Sequence, residues 1–287
     1  MSATGRTRAL PAPAVRLNNG TTIPQLGFGT YKMPPSDTAR LVRTALELGY
    51  RHVDTAEMYG NEREVGQGVR DSGLPRDEVF VTSKLDNPHR TPDQARAAFD
   101  RTMADLGLEQ VDLFLIHWPL PTVTDYVARW RVLEEVYADG RARAIGVSNF
   151  QVAHLRRLLD EVDVVPAVNQ IEVQPYFVQD ELRAFHAQHG IVTEAWSPLA
   201  RGKVLDDPVV ARVAARHDRS PAQVVLRWHL QRGDVVIPKS SSRARIAENG
   251  NLFTFVLSDD DIAAITGLDR DERTGSADPN TFDGLRG

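Results

Sequence analysis

The chain contains no cysteine, which excludes disulfides, thiolate metal sites and cysteine nucleophiles. It also lacks any apolar run near the ~20 residues that a membrane-spanning helix needs. The most apolar stretch, residues 111–116, is followed at once by His117 and Trp118. Neither sign of charge dominates: 34 Lys and Arg stand against 39 Asp and Glu, a formal charge of −5. That balance argues against a reader of the nucleic-acid backbone, while a local basic patch for a small anion remains open. Residues 1–14 carry Arg6, Arg8, Pro11 and Pro13 without an apolar core, the composition of a disordered tail rather than a signal peptide. No Gly/Ser/Pro-rich linker interrupts the remainder, so residues 15–287 are expected to form one domain. With 41% hydrophobic and 25% charged residues, that domain can bury a sizeable core. The expectation is a cytoplasmic monomer that binds neither nucleic acid nor membrane.

What is present is a regular alternation. Val15-Arg16-Leu17 and Thr21-Thr22-Ile23 flank Asn18-Asn19-Gly20, the pattern of a β-hairpin. Beyond it, apolar runs at 26–30, 51–54, 80–84, 110–116, 142–148, 167–172, 192–196 and 235–238 read as strands. Amphipathic stretches at 38–47, 61–71, 92–106, 125–139, 151–159, 179–189, 221–231 and 242–253 read as helices. Thr91-Pro92 with Gln94, and Ser220-Pro221 with Gln223, are capping boxes with Pro at the first helical position. Gly49, Gly107, Gly140, Gly190 and Gly233 follow helices as stop signals.

Repeated strand–helix units require parallel pairing with right-handed crossovers. A doubly wound sheet that binds a dinucleotide would show Gly-x-Gly-x-x-Gly after its first strand. Here Gly27-Phe28-Gly29 lacks the third glycine, and Gly66-Gln67-Gly68 falls inside a helical pattern. The favoured closure is therefore a (β/α)8 TIM barrel, with the hairpin plugging its N-terminal end.

In such a barrel the chemistry sits at the C-terminal ends of the strands. Polar residues recur there: Asp54 with Tyr59 five residues on, Lys84, His117, Ser148-Asn149, Gln170, Trp196 and Lys239. Taken singly each has a structural explanation, with Asp54 as a helix cap, Lys84 as a rim charge and His117 as the start of a loop. Together Tyr59, Asp54, Lys84 and His117 describe a general acid that protonates a carbonyl oxygen. Lys84 is expected to lower the Tyr59 pKa from its usual ~10, Asp54 to hold Lys84, and His117 to bond the carbonyl oxygen. No side chain delivers hydride, so a nicotinamide cofactor is implied. Ser148, Asn149 and Gln170 would hold its carboxamide, and Trp196 would stack on its ring. The run Lys239-Ser240-Ser241-Ser242-Arg243-Ala244-Arg245 enters a helix start and suits the 2′-phosphate of NADP(H); its alternative is a basic helix start that binds nothing. Tyr31, Met58 and Trp118 flank the rim as a substrate wall. The tail 271–287 with Phe282 either joins that wall or frays. No metal site is expected, since His186 and His189 share a helix without an acidic partner pattern.

The residues resemble the aldo-keto reductase family from Val15 onward. Gly49-Tyr50-Arg51-His52-Val53-Asp54-Thr55-Ala56-Glu57-Met58-Tyr59-Gly60-Asn61-Glu62 is similar to the family's first signature. Leu115-Ile116-His117-Trp118-Pro119, Gly146-Val147-Ser148-Asn149-Phe150 and Ile237-Pro238-Lys239-Ser240 match the others in order. The resemblance implies an NADPH-dependent reductase of small aldehydes, ketones or keto-sugars, with Tyr59 as proton donor assisted by Asp54, Lys84 and His117. It places Thr30 near the cofactor, and Ser197, Leu199, Lys239, Ser240, Arg245, Glu248 and Asn249 along the pyrophosphate and adenosine. Trp196-Ser197-Pro198-Leu199-Ala200-Arg201-Gly202 looks like bacterial members such as the 2,5-diketo-D-gluconate reductases, except that Ala200 stands where those often have Gly. The long cofactor-covering insertion of mammalian aldose reductases is absent, which implies a less enclosed cofactor. Two other readings stand beside this one: an NADPH-binding sensor without turnover, and a Schiff-base aldolase that uses Lys84.

Overall fold

The computed structural model describes Leu10 and residues 12–284. Residues 1–9 and 11 of the expected tail lie outside the described residues. The rest of that stretch belongs to the fold: the Leu10 N–H donates to Gly49 O at 2.8 Å, and Ala14 opens the first strand. Strands β1 (Ala14–Arg16) and β2 (Thr22–Pro24) pair antiparallel. In their connection only Gly20 takes a positive φ, 88°, and the Leu17 N–H donates to Thr21 O at 2.9 Å. This is a three-residue turn with a bulge at the glycine, and Asn19 Oδ1 fastens it by accepting from the Thr21 N–H.

Eight parallel strands follow, ordered around the sheet as in the chain. They are β3 (Phe28–Gly29), β4 (His52–Asp54), β5 (Phe80–Leu85), β6 (Val111–Ile116), β7 (Ala142–Ser148), β8 (Val168–Glu172), β9 (Val192–Trp196) and β10 (Val235–Val236). The ring closes through a parallel bridge between Leu26 and Val236, where the Gly27 N–H reaches Val236 O and the Val236 N–H reaches Gln25 O, both at 2.9 Å. Gly27 serves this closure, because a Cβ there would stand 2.5 Å from His52 Nδ1. Gly66 is likewise a packing glycine: a Cβ would meet Leu106 O at 1.9 Å. Their partners are packed as closely: a Cβ at Gly29 would meet Ile237 O at 3.0 Å and one at Gly68 would meet Ala39 O at 2.7 Å.

Around the ring run α1 (Pro35–Glu47), α2 (Glu62–Asp71), α3 (Pro92–Leu106), α4 (Tyr126–Ala138), α5 (Val152–Glu161), α6 (Asp180–His189), α7 (Pro208–His217), α8 (Pro221–Gln231), α9 (Arg243–Gly250) and α10 (Asp259–Thr266). Both expected capping boxes are formed, at Thr91 and Ser220. Helices α7 and α10 are additional to the eight read from periodicity, and α9 ends at Gly250 rather than at 253. Among the described residues no helix is long and apolar enough to cross a membrane.

Alternate strand residues point into the barrel and stack in layers. At the bottom, Leu17 and Ile23 of the hairpin are buried against Phe80, Leu113, Ala144, Val168 and Val235, each buried side chain contributing ~1.5–3 kcal/mol. The hairpin is thus the barrel's lower plug. Above lie His52, Thr82, Gln170 and Glu194, all buried. The top layer carries Asp54, Lys84, His117 and Ser148.

Candidate active site

Beyond Asp54 the chain makes one 3-10 turn, Glu57–Tyr59, ended by Gly60 at φ 64°. Asn61 pins this turn: its Nδ2 donates to Thr30 O at 3.1 Å and Met33 O at 3.3 Å, and its Oδ1 accepts from the Thr55 hydroxyl at 3.0 Å. A second brace is the hydrogen bond between Glu57 Oε1 and His89 Nε2, 2.9 Å. Tyr59 is thereby held above β5. Lys84 Nζ donates to both Asp54 oxygens and to Thr55 O, each at 2.8 Å, and lies 3.5 Å from the Tyr59 hydroxyl. Lys84 is 0% exposed and Asp54 2%, so this is a buried pair. The His117 ring meets Tyr59 edge-on at 5.8 Å, and the Tyr31 ring lies 5.1 Å from it.

Burial, followed by the charge of Asp54, holds the Tyr59 phenol well above its usual range. The expected depression by Lys84 is corrected here: the ammonium gives its short bonds to Asp54 and Thr55, so its charge is largely compensated before it reaches the phenol. Burial thus favours Tyr59 as the neutral phenol rather than the phenolate.

Gln170 adds a link that residue spacing does not reveal. Its Nε2 donates to Asp54 Oδ2 at 2.8 Å and to Glu194 Oε2 at 2.9 Å, so its amide hydrogens are spent inside the barrel and only Oε1 is left for a ligand. Asn149 adopts φ 64°; its Nδ2 donates to His117 O at 3.0 Å and Ser148 Oγ at 3.1 Å, while its Oδ1 accepts from Trp196 Nε1 at 2.9 Å. The Ser148 hydroxyl donates to Gln170 O at 2.8 Å. Ser148, Asn149, Gln170 and Trp196 are therefore brought together, and what they offer outward is acceptors and a ring face. Thr30 is fully buried, its hydroxyl bonded to Asp54 O at 3.0 Å.

Ser197 and Leu199 are half-buried at the mouth of β9. Ser197, Ala200, Arg201 and Gly202 all have positive φ, so Ala200 holds a left-handed position that favours glycine. Past β10, Lys239 is exposed and Ser240 buried, and the Ser240 hydroxyl accepts from the Ser242 N–H at 3.2 Å. Ser242 caps α9 with no side-chain bond. Arg243 pairs with Glu47; among the described residues Lys239 and Arg245 have no ion-pair partner. Glu248 and Asn249 follow on the same helix, half-buried and buried.

The segment 269–284 runs across the rim as a strap. Arg270 and Glu272 N–H groups donate to Tyr176 O, and the Thr274 N–H to Glu172 Oε1 at 2.6 Å. At its far end Phe282 packs on Trp118, ring centroids 4.6 Å apart, and Asp283 O accepts from Arg90. Of the expected wall, Tyr31 meets the Tyr59 ring, Met58 precedes Tyr59 in its 3-10 turn, and Trp118 is the ring that Phe282 of the strap covers. A sequence profile described as the Aldo/keto reductase family matches residues 24–270.

The chain belongs to the aldo/keto reductase family. An aldo-keto reductase of Mycolicibacterium smegmatis is 47% identical over 271 residues, 94% of this chain and 98% of that protein. The glyoxal reductase of Bacillus subtilis is 46% identical over 262 residues, 91% and 94% of the two chains. Among solved structures, a variant of Gox0644 in complex with NADPH superposes with a TM-score of 0.91 at 46% identity, covering 94% of this chain and 98% of that one. These relatives place the chain in the family without singling out the 2,5-diketo-gluconate reductases. Within this aldo/keto reductase, the residues that spacing missed are Thr55, Asn61, Glu57, His89 and Glu194. Asn61 follows Gly60 just ahead of a helix, which reads as a cap, whereas its side chain ties the 3-10 turn to the loop after β3. Nothing in the local sequence around Glu194 distinguishes it from a strand residue of an ordinary rim.

Proposed function

We propose that the protein is an NADPH-dependent reductase of small aldehydes and ketones, with Tyr59 as the proton donor. The observation that carries this reading is the buried Lys84–Asp54 pair set 3.5 Å beneath the Tyr59 hydroxyl. The residues present fit the cofactor. The acceptors Gln170 Oε1 and Asn149 Oδ1 suit a carboxamide NH2, and the Trp196 ring, fixed by its bond to Asn149, offers a flat face. The N–H groups that open α9, with Lys239 and Arg245 uncommitted, suit a phosphate. A solved relative, the Gox0644 variant, is in complex with NADPH.

When bound, NADPH would supply the hydride to the carbonyl carbon. The protein's part is to place and charge the oxygen. His117 and Tyr59 face the same space, so a carbonyl oxygen seated there accepts hydrogen bonds from both. As negative charge grows on that oxygen, the Tyr59 phenol transfers its proton, and the phenolate left behind faces Lys84 Nζ at 3.5 Å, a cation already shared with Asp54. Tyr31, Met58 and Trp118, closed by Phe282, exclude water and favour small substrates. Keto-sugars and dicarbonyls both fit this description.

Lys84 has all three ammonium hydrogens engaged at 2.8 Å and no exposed surface, which argues against a Schiff-base amine. The test is NADPH consumption with an aldehyde panel, in wild type and Tyr59→Phe. Loss of ~10²–10⁴-fold in kcat with an unchanged melting temperature is expected. Full activity in Tyr59→Phe overturns the mechanism. NADPH binding without turnover in wild type indicates a sensor, and borohydride trapping on Lys84 an aldolase.

A further inference from the structure

Below the proposed proton donor, the barrel interior contains a second carboxylate that the reaction does not use directly. Glu194, on β9, is 0% exposed. Its Oε2 accepts from Gln170 Nε2 at 2.9 Å, and the same nitrogen donates to Asp54 Oδ2 at 2.8 Å. Its Oε1 is buried and has no hydrogen-bond partner among the described residues. The titratable groups facing it are Asp54 and His52 from β4, Lys84 from β5, and Tyr59 from the turn after β4. His52 Nε2 lies 3.6 Å from Oε1. Burial holds His52 down to about 3, so it carries no charge at neutral pH and offers Glu194 no counter-ion. Lys84 gives its short bonds to Asp54 and Thr55.

A buried carboxylate oxygen without a donor is costly when ionised, and far less so as the O–H or carbonyl of a neutral acid. Burial, then the charge of Asp54, pushes Glu194 up to about 8. Of the two carboxylates joined through a single amide nitrogen, Asp54 has Lys84 as its counter-ion at 2.8 Å and Glu194, without one, keeps a proton.

We propose that Glu194 is a positioning residue for proton transfer, acting as a neutral acid that holds the Gln170 amide against Asp54 and so fixes Lys84 beneath Tyr59. This rests on the reductase reading of the same site. Ionisation of Glu194 adds a second negative charge on the Asp54 side of the barrel. That charge strengthens the hold of Tyr59 on its proton, so the phenol becomes a poorer acid and carbonyl reduction slows. Gln170 consequently has two duties, with Oε1 turned to the ligand and Nε2 to the two acids.

Glu194→Gln keeps the neutral geometry and cannot ionise, whereas Glu194→Met removes the bond to Gln170. In wild type, kcat for aldehyde reduction is expected to fall about threefold or more between pH 7 and pH 9 as Glu194 ionises. Glu194→Gln should match wild type at pH 7 within about twofold and lose that alkaline limb. Glu194→Met should lower kcat about tenfold with little change in KM for either substrate. An alkaline limb unchanged in Glu194→Gln, or wild-type kcat in Glu194→Met, overturns the proposal. Infrared difference spectra of the cofactor-free protein provide a readout that needs no turnover. A protonated-carboxyl stretch that disappears as pH rises through about 8 and is missing in Glu194→Gln supports the neutral acid. Its absence from wild type refutes the neutral acid even if the reductase reading holds, and its presence without turnover refutes the reductase reading alone.

Discussion

Lys84→Met isolates the strongest electrostatic commitment in the barrel. Lys84 and Asp54 are 0% and 2% exposed, with their charged atoms 2.8 Å apart. Removing the ammonium leaves the Asp54 carboxylate buried with Gln170 as its remaining donor, and leaves Thr55 O without its partner. Breaking one side of a buried pair costs ~3–5 kcal/mol, because the surviving charge has lost both water and counter-ion. In a chain of this size that corresponds to a fall of roughly 6–20 °C in Tm. Urea unfolding at pH 7, followed by tryptophan fluorescence, measures it. Adding Asp54→Asn to Lys84→Met removes the stranded charge and should return about half or more of the lost stability, while activity stays absent in both variants. Arg63–Asp105 is the control: its distance is 2.7 Å but its side chains are 76% and 43% exposed, so Arg63→Ala should leave the unfolding midpoint in place. A Lys84→Met protein no less stable than Arg63→Ala would refute the reasoning, since burial would then have decided nothing. A double variant as unstable as the sum of its two singles would refute it independently.

The anion site at the start of α9 makes a separable claim. Lys239→Ala or Arg245→Ala should raise KM for NADPH ~10–100-fold, the value of a charge-assisted bond to phosphate, and leave KM for NADH nearly unchanged; equal losses for both cofactors would dismiss the 2′-phosphate assignment. His186 governs part of the acid response. Burial, and then Arg183, lowers it to about 3. Asn169 Nδ2 donates to its Nε2 at 2.9 Å, so Nδ1 carries the proton and donates to the Thr193 hydroxyl at 2.8 Å. The unfolded chain takes up a proton near ~6.5 that the folded one refuses, so this stabilisation is present above that value and is lost as pH falls towards about 3. His186→Gln should flatten stability against pH between about 6 and 4 by up to ~1 kcal/mol per pH unit, read from urea midpoints; an unchanged slope would show that His186 is not the group responsible.

Much of the fold is legible in the sequence because local signals and global architecture agree. Thr91-Pro92 and Ser220-Pro221 announce helices that form with those caps. The same device, Asp207-Pro208, opens α7, and Ser258 with Asp261 opens α10. A pattern of one helix per strand has no place for either, although the cap residues of both stand in the sequence. The tail at 271–284 is ambiguous for a different reason: its anchors are Tyr176, Glu172, Trp118 and Arg90, all distant in sequence, so no local pattern separates a strap from a frayed end.

The sequence by itself determined the unit count, the parallel barrel and which strand ends carry Asp54, Lys84, His117 and Ser148, because periodicity and turn chemistry are properties of neighbouring residues. Only the tertiary structure decided what those residues do to one another. Gln170 lies 116 positions from Asp54 and 24 from Glu194, and the ring brings all three into contact. Burial there turns Tyr59 into a firmly protonated phenol, contrary to the pairing read from Lys84 alone. Desolvation depends on everything that surrounds a group, and a chain acquires those surroundings only when the barrel closes.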